Sequence, residues 1–223
     1  DFCLSRGLGD VYKRQFLEGA EAAIDRRRIY GPTGIVQRAE DIDFVLRYER
    51  YRPFTVWAMR RDLLVELGGF DEQIVFGEER DLANRIRSRG VDIRLAKEAV
   101  QYHKGEPRTL RQVAARGLTF GFAKSRTYYY RNPSEFPYGR MAGMLALLGL
   151  IIASFAFPSL LLLLAGVLVA GYGLVFLRVY RLQTDAVRAS LETIALISLV
   201  RGVSNGFYLI GLAIGCLPFV GPK

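Results

Sequence analysis

An acidic cluster lies in residues 68–82, GGFDEQIVFGEERDL, and its carboxylates are candidates for a reactive site. It contains five carboxylates, although the whole chain has a formal net charge of +9, and Glu78 and Glu79 are adjacent within it. Acidic groups on the first turn of a helix are stabilised by the helix dipole. A carboxylate held at such a place can also take a proton from a reacting hydroxyl group. The cluster therefore predicts either helix capping or a general base.

The segments around this cluster predict the elements that hold it. TVWAM has the branched and aromatic composition of a short strand, and VDIRLA alternates as a strand does. RRDLLVELGGF and ERDLANRIRSRG predict two helices. Gly68 and Gly69 end the first and Gly90 ends the second, since glycine tolerates the left-handed conformation at a helix end. The order strand, helix, helix, strand indicates part of an α/β sandwich.

Two further predictions concern the residues upstream. FLEGAEAAIDRRR predicts a helix with Leu17, Ala20 and Ile24 on one side and charges on the other. GPTGIVQ predicts a turn followed by a strand. Both segments are expected to belong to the same α/β region as the acidic cluster.

Residues 55–105 resemble the acceptor-side half of a family 2 glycosyltransferase with the GT-A fold. That family shows a strand, an arginine-led helix, Gly-Gly-Phe-Asp/Glu, a spacer, Gly-Glu-Asp-x-Asp-Leu-x-x-Arg, a glycine, a strand and a histidine. The matching positions here are Gly68, Gly69, Phe70, Asp71, Gly77, Glu78, Glu79, Asp81, Leu82, Arg85, Gly90 and His103. The family's Glu-Asp pair is Glu78-Glu79 in this chain, so the expected base is a glutamate, one methylene longer than the aspartate.

The resemblance implies an enzyme that transfers a sugar from a nucleotide-sugar donor to a lipid-linked or saccharide acceptor near the membrane. The reaction is expected to be inverting and non-processive, and to serve the synthesis of cell-envelope polysaccharide. Glu79 is the implied catalytic base, which takes the proton of the acceptor hydroxyl. Glu78 and Asp81, in the same catalytic cluster, are expected to orient the loop or to bind backbone donors.

The resemblance also implies binding residues. The acceptor is expected at Gly68, Gly69, Phe70 and Trp57, although a single tryptophan in a strand can equally belong to the core. A divalent metal, Mn²⁺ or Mg²⁺, is implied as the cofactor that holds the departing phosphates. His103, the only histidine, is the implied metal ligand, and a structural role is its alternative.

The family's metal-binding Asp-x-Asp motif is not identified in the chain. EDIDF contains Asp41 and Asp43, but no apolar strand precedes it and it lies too close to the acidic cluster. Residues 5–15, SRGLGDVYKRQ, resemble the translation of a transposase-type sequencing adapter, so residues 1–15 are interpreted as an artefactual leader. We therefore expect the natural sequence to begin near Phe16, the motif to be encoded upstream, and the chain to be inactive by itself.

A basic segment, residues 106–140, follows the α/β region. TLRQVAARGLTFGFAKSRTYYYRNP spaces basic residues among apolar ones and three tyrosines, which predicts an amphipathic helix on an anionic membrane surface. Arg111 and Arg116 are similar to the Gln-x-x-Arg-Trp region of processive synthases, but Gly117 replaces the tryptophan, which argues against processive polymerisation. The two arginines are expected to bind pyrophosphate or a lipid phosphate. Attraction to lipid headgroups is the open alternative.

The rest of the chain is strongly apolar. No charged residue lies between Met141 and Leu177, Pro158 marks the expected turn, and a later apolar stretch carries only Arg201. These lengths predict three transmembrane helices, at about 141–157, 159–178 and 193–215. Small residues that suit close helix packing recur in the third helix: Gly202, Ser204, Gly206, Gly211 and Gly215.

The arginines predict an orientation. They flank the first two predicted spans and are absent from the turn between them: Arg126, Arg131, Arg140, Arg178, Arg181 and Arg188. By the positive-inside rule these flanks, and with them residues 16–140, face the cytoplasm. The sequence thus predicts an integral membrane protein with a partial GT-A α/β domain. The alternative is a non-enzymatic small membrane protein whose basic cytoplasmic domain binds lipid or a partner. Nucleic acid is not an expected partner, since membrane spans do not favour it.

Overall fold

The computed structural model describes residues 13, 15–50, 58–183 and 188–217 of the chain. The described residues form a mixed α/β protein that divides into two compact units. The first unit comprises residues 1–32 and 41–106, and the second comprises residues 33–40 and 107–223. Each unit has its own set of internal contacts.

A three-stranded mixed sheet forms the centre of the first unit. Its strands are β1 (Ala22–Ile29), β2 (Ala58–Met59) and β3 (Ile93–His103). Their spatial order is β2-β1-β3, with β1 antiparallel to β2 and parallel to β3. The register of β1 with β3 extends from Ala22 opposite Ile93 to Ile29 opposite His103. Because β1 and β3 are parallel, their last residues lie side by side at one end of the sheet.

Three helices connect these strands: α1 (Ile35–Arg50), α2 (Arg61–Glu66) and α3 (Glu78–Ser88). α3 presents Leu82, Ala83 and Ile86 at helical spacing, and all three side chains are buried. They form one apolar cluster with Ile24 of β1 and Leu63 of α2. This cluster holds α2 and α3 against the sheet, and it therefore sets the place of the acidic doublet that begins α3.

The region upstream of α2 folds differently from the sequence prediction. The helix predicted for FLEGAEAAIDRRR is wrong, because Ala22–Ile29 is β1, the central strand. Its alanines and arginines favour a helix, but pairing on both sides of the strand outweighs that propensity. The strand predicted for GPTGIVQ is also wrong, because α1 begins at Ile35 and buries Val36, Ala39 and Leu46 at helical spacing. The predicted order strand, helix, helix, strand is confirmed as β2, α2, α3, β3.

The second unit is helical. Its elements are α4 (Leu110–Arg126), α5 (Tyr128–Arg131), a 3₁₀ turn (Pro133–Glu135), α6 (Tyr138–Ala156), α7 (Leu160–Tyr180) and α8 (Leu191–Gly215). The last three helices are 19, 21 and 25 residues long and are apolar enough to cross a membrane. They confirm the three predicted helices of this kind and indicate a membrane protein. The cytoplasmic orientation stays a prediction.

Close backbone contact joins α4 to α8. A Cβ at Gly117 would lie 2.6 Å from the carbonyl oxygen of Ser204, and a Cβ at Gly121 or Gly211 would overlap a carbonyl oxygen of the facing helix. Only glycine permits such an approach, as in the small-residue motifs that join membrane helices. We call this contact the glycine seam, and its residues are Gly117, Gly121, Gly211 and Gly215.

The small residues predicted to pack on α8 fall into two sets. Gly211 and Gly215 lie in the glycine seam, which confirms close packing at these two positions. Gly202 and Gly206 lie on the same helix, but nothing is within 4 Å of a Cβ built on either of them. The contact of α8 with α4 is therefore made by one pair of its glycines and not by the other.

Candidate functional site

The acidic doublet lies on the first turn of α3, where the sequence predicts it. Gly77 precedes the helix with a φ of 97° and supplies no side-chain cap, so Glu78 and Glu79 are the first side chains at the helix start. Both are partly exposed. The helix dipole stabilises a carboxylate at this place, and partial exposure leaves it accessible to a ligand. Glu79 therefore has the position and the accessibility that a general base needs.

Asp81 makes a different contact in the same turn. Its Oδ2 accepts a hydrogen bond from Nε of Arg85 at 2.8 Å, and Nη1 of Arg85 donates to the carbonyl oxygen of Leu67 at 2.7 Å. Leu67 is the residue at which α2 ends. The two hydrogen bonds thus tie the first turn of α3 to the end of α2. Asp81 thus holds the arginine that makes the contact with the end of α2.

Two consecutive glycines begin that loop. Gly68 and Gly69 have φ values of 77° and 73°, a conformation that disfavours any residue with a Cβ. The loop leaves Phe70 48% exposed, while Ile74 further along it is buried and anchors it. An aromatic ring is thus presented to solvent in the loop that leads to the acidic doublet. Trp57, the other predicted acceptor-binding aromatic residue, lies outside the described residues.

A second arrangement, which we call the His103 cluster, lies at the end of the sheet where β1 and β3 finish. Nη2 of Arg27 lies 2.8 Å from Nδ1 of His103 and donates to Oε1 of Glu106 at 2.5 Å. Nε2 of His103 lies 3.1 Å from Oε1 of Gln101. The Glu106 side chain is almost fully buried, so Arg27 supplies its countercharge. The guanidinium of Arg27 also lies over the ring of Phe44, 4.9 Å from its centroid.

The His103 cluster does not fit the predicted metal site. A protein-bound divalent cation takes several nitrogen or oxygen ligands. Among the described residues, no group of three or more His, Cys, Asp or Glu side chains is arranged to hold one. Both ring nitrogens of His103 already lie within hydrogen-bond distance of Arg27 and Gln101. The use of Mn²⁺ or Mg²⁺ stays a prediction.

Asp41 and Asp43, which the sequence analysis rejects as a metal motif, lie on α1. Asp41 accepts hydrogen bonds from Nη2 of Arg28 and from the main-chain N–H of Ile29, both at 2.7 Å. The hydrogen bond from Arg28 to Asp41 is the main cause that raises the pKa of Arg28. Asp43 pairs with Arg47 one turn later at 3.0 Å. Arginines therefore bind both carboxylates, and Asp41 ties α1 to β1.

Sequence patterns alone do not identify Arg27 or Glu106 as site residues. The wrong helix prediction places Arg27 on a solvated charged face, and Glu106 lies just past the predicted end of the α/β region. The two residues are 79 positions apart, and only the parallel pairing of β1 with β3 brings them together. The apolar run AAI, which Asp25 separates from the arginines, is too short to indicate a buried strand by itself.

The predicted phosphate-binding arginines lie on α4, in the second unit. Arg111 is exposed, and the guanidinium of Arg116 lies 5.0 Å from the ring centroid of Phe120. Gln112, between them, uses its Oε1 to accept a hydrogen bond from the main-chain N–H of Arg108 at 2.7 Å. This glutamine therefore helps to cap the start of α4.

An open cleft of about 220 Å³ lies in the first unit near the starts of β1 and β3. Its lining mixes acidic and basic side chains, including Glu21, Arg60, Asp62, Glu66 and Arg89. None of the predicted catalytic or binding residues lines it. The acidic doublet and the His103 cluster are therefore separate features from this cleft.

The described part of the first unit thus contains an accessible acidic helix start, an exposed aromatic residue in the preceding loop, and a histidine bound by an arginine. No protein-family model matches the chain, and no curated protein matches it. The function is therefore inferred from these side chains and their geometry.

Proposed function

We propose that this chain acts in a membrane-anchored family 2 glycosyltransferase with a GT-A-type domain. It would transfer a sugar from a nucleotide-sugar donor to a lipid-linked or membrane-proximal saccharide acceptor. The observation that carries the proposal is Glu79, a partly exposed carboxylate on the first turn of α3, after a loop begun by Gly68 and Gly69. The order β2, α2, α3, β3 supports the proposal, because the acceptor-side half of the resembled domain has the same order.

The proposed reaction is a single displacement at the anomeric carbon, which inverts its configuration. The acceptor oxygen attacks that carbon, its proton passes to a carboxylate oxygen of Glu79, and the bond from sugar to phosphate breaks to release the nucleoside diphosphate. A positioned base typically accelerates such a step about 10²- to 10⁴-fold. Glu79 lies partly exposed on the first turn of α3, and its carboxylate is the one proposed to contact the acceptor. Glu78 is proposed to orient the helix start.

The residues proposed to bind substrate groups have side chains that are at least partly exposed. Phe70 offers an aromatic face for the C–H groups of a sugar ring, next in sequence to the two glycines. Arg111 and Arg116 on α4 are proposed to bind phosphate groups, since a guanidinium matches phosphate oxygens in pairs. The contacts of His103 do not supply a donor set for the expected divalent metal.

The proposed location of the catalytic region is the cytoplasmic side of a membrane. α6, α7 and α8 are long and apolar enough to span, and arginines flank α6 and α7 at the ends away from their connection. A membrane anchor brings the enzyme to an acceptor carried on lipid. This location suits a reaction that uses a soluble nucleotide-sugar donor and a membrane-proximal acceptor.

One observation favours a non-enzymatic membrane protein with a basic lipid- or partner-binding domain. The 220 Å³ cleft of the first unit is not lined by Glu78, Glu79, Asp81 or His103. In this alternative, the exposed arginines of α4 bind anionic headgroups and the acidic doublet only stabilises α3. This reading predicts that replacing the doublet has no effect beyond stability.

The test is a transfer and hydrolysis assay with nucleotide sugars, with Mn²⁺ or Mg²⁺ present. It uses the membrane-embedded protein as its natural gene encodes it. We expect Glu79→Gln to lower kcat by about 10²-fold or more, because the amide cannot accept the acceptor proton. Binding of the nucleotide sugar, measured by calorimetry, should change little.

Glu72→Gln is the matched control, because Glu72 is an exposed acid of the same loop. It should keep the activity of the unchanged protein. Equal activity in Glu79→Gln and Glu72→Gln would show that Glu79 is not the catalytic base. The absence of turnover with every nucleotide sugar, together with binding to anionic vesicles, would instead support the non-enzymatic alternative.

A further inference from the structure

The proton positions in the His103 cluster follow from its donors and acceptors. A guanidinium group only donates hydrogen bonds. Nδ1 of His103, 2.8 Å from Nη2 of Arg27, is therefore the acceptor and carries no proton. The imidazole proton then lies on Nε2, which donates to Oε1 of Gln101 at 3.1 Å. A single tautomer satisfies both ring nitrogens at once.

The charges beside the ring oppose a bound cation. The guanidinium of Arg27 carries a positive charge and lies on the Nδ1 side of the ring. The carboxylate of Glu106, whose Oε1 is 3.9 Å from Nδ1, is neutralised by the same guanidinium. A metal ion at Nδ1 would have to displace Arg27 from both partners. A metal ion at Nε2 would have to remove the ring proton and the contact with Gln101.

The same contacts join segments that are far apart in the sequence. Arg27 precedes His103 by 76 positions, and the main-chain N–H of Tyr30 donates to the carbonyl oxygen of His103 at 2.8 Å. Glu106, in the segment that leaves β3, is 4% exposed. The guanidinium, the imidazole and the buried carboxylate thus close the end of the sheet where β1 and β3 finish.

We infer that His103 is a hydrogen-bonded latch between β1 and β3, which Arg27 and Glu106 position, and that it is not a metal ligand. The inference replaces the metal role that the family resemblance implies for this histidine. It does not depend on glycosyl transfer, because it concerns only the hydrogen bonds and charges around the ring. A metal used by the protein would have to be bound by other residues.

The experiment is nitrogen NMR of the whole chain in lipid nanodiscs after labelling with ¹⁵N-histidine. The chain has one histidine, so every imidazole signal belongs to His103. We expect a long-range proton–nitrogen correlation spectrum at neutral pH with one protonated nitrogen, Nε2, and an unprotonated Nδ1. Equimolar Zn²⁺ is the stringent probe, because imidazole binds Zn²⁺ more strongly than Mn²⁺, and it should leave both nitrogen shifts unchanged.

The spectrum of the unchanged protein decides the inference by itself. An Nδ1–H tautomer, a doubly protonated ring, or a displaced ring-nitrogen signal with equimolar Zn²⁺ would overturn it. Arg27→Met should free Nδ1 and produce a mixture of both tautomers, whereas the exposed Arg61→Met should leave the spectrum unchanged. An unaltered tautomer in a folded Arg27→Met protein would refute the role of Arg27. The readout needs no turnover, so neither result bears on the proposed base.

Discussion

In the first unit, arginine side chains reach buried carboxylates across the fold, whereas in the second unit two helices meet backbone to backbone at glycines. Arg27 binds Glu106, and Arg28 binds Asp41. The glycine seam between α4 and α8 has no room for a Cβ. The first kind of contact depends on charge and the second depends on size. Each unit should therefore fail for a different reason when it is mutated.

The difference matches the surroundings that the two units are expected to have. Apolar surface drives no association between helices within lipid, so close shape and small residues hold membrane helices together. Two polar side chains there are satisfied within their own helix: the hydroxyls of Ser154 and Ser198 donate to carbonyl oxygens one turn earlier, at 2.8 and 2.7 Å. In the first unit the buried carboxylates of Glu106 and Asp41 are instead bound by arginines of β1 that lie 79 and 13 positions away in the sequence. The stability of the α/β unit should therefore be sensitive to the loss of a single arginine cation.

The largest effect on stability is expected from Arg27→Met. It leaves the buried carboxylate of Glu106 without its cation, and breaking a buried ion pair from one side costs about 3 kcal/mol or more. The free energy of unfolding, measured by chemical denaturation in nanodiscs, should fall by that amount. The exposed Arg61→Met should stay within about 0.5 kcal/mol of the unchanged protein.

A double variant tests the cause of that loss. Arg27→Met combined with Glu106→Gln removes both charges and should recover at least about 1 kcal/mol relative to Arg27→Met alone. Equal stability of the single and double variants would show that the loss comes from packing against Phe44 rather than from an unpaired carboxylate.

Gly211→Leu should have the next largest effect, and it acts through size. A side chain at this position overlaps the carbonyl oxygen of Leu118, so α4 and α8 must move apart, at a cost of about 2 kcal/mol. Thermal unfolding followed by circular dichroism measures the change. Gly206→Leu is the matched control on the same helix, where a Cβ meets nothing within 4 Å. Similar melting of the two variants would contradict the importance of the glycine seam.

The smallest effect is expected from Asp41→Asn, about 1.5 kcal/mol, because the amide keeps the shape but loses the charged hydrogen bonds to Arg28. The exposed Asp62→Asn, whose pair with Arg60 spans 3.7 Å, should change the free energy of unfolding by less than about 0.5 kcal/mol. The raised pKa of Arg28 means that this stabilisation is fully present below the ordinary pKa of an arginine and is lost only as the pH rises through the raised value. The free energies of unfolding of the two variants should therefore differ by the same amount at pH 6 and at about pH 9. A difference that disappears over this range would contradict the assignment.

Sequence reasoning succeeds where a pattern is local. The helices α2 and α3 end near the glycines that predict their ends, and the three apolar helices lie close to their predicted positions. It fails at Ala22–Ile29, where the residues themselves favour a helix and only pairing with two other strands makes a strand. The partners of the candidate site are hidden for the same reason, since Arg27 and Glu106 meet through that pairing.

Three features could be predicted from short stretches of sequence: the acidic start of α3, the glycine turn before it, and the apolar length of α6, α7 and α8. These features depend on residues close together in the chain, through helix capping, backbone freedom and apolar composition. Only the tertiary structure decided that β1 is the central strand, that Arg27 holds His103, and that α4 packs on the Gly211 side of α8. Those outcomes depend on which distant segments pack together and bury each other's charges or backbones. A pattern of neighbouring residues does not contain that information.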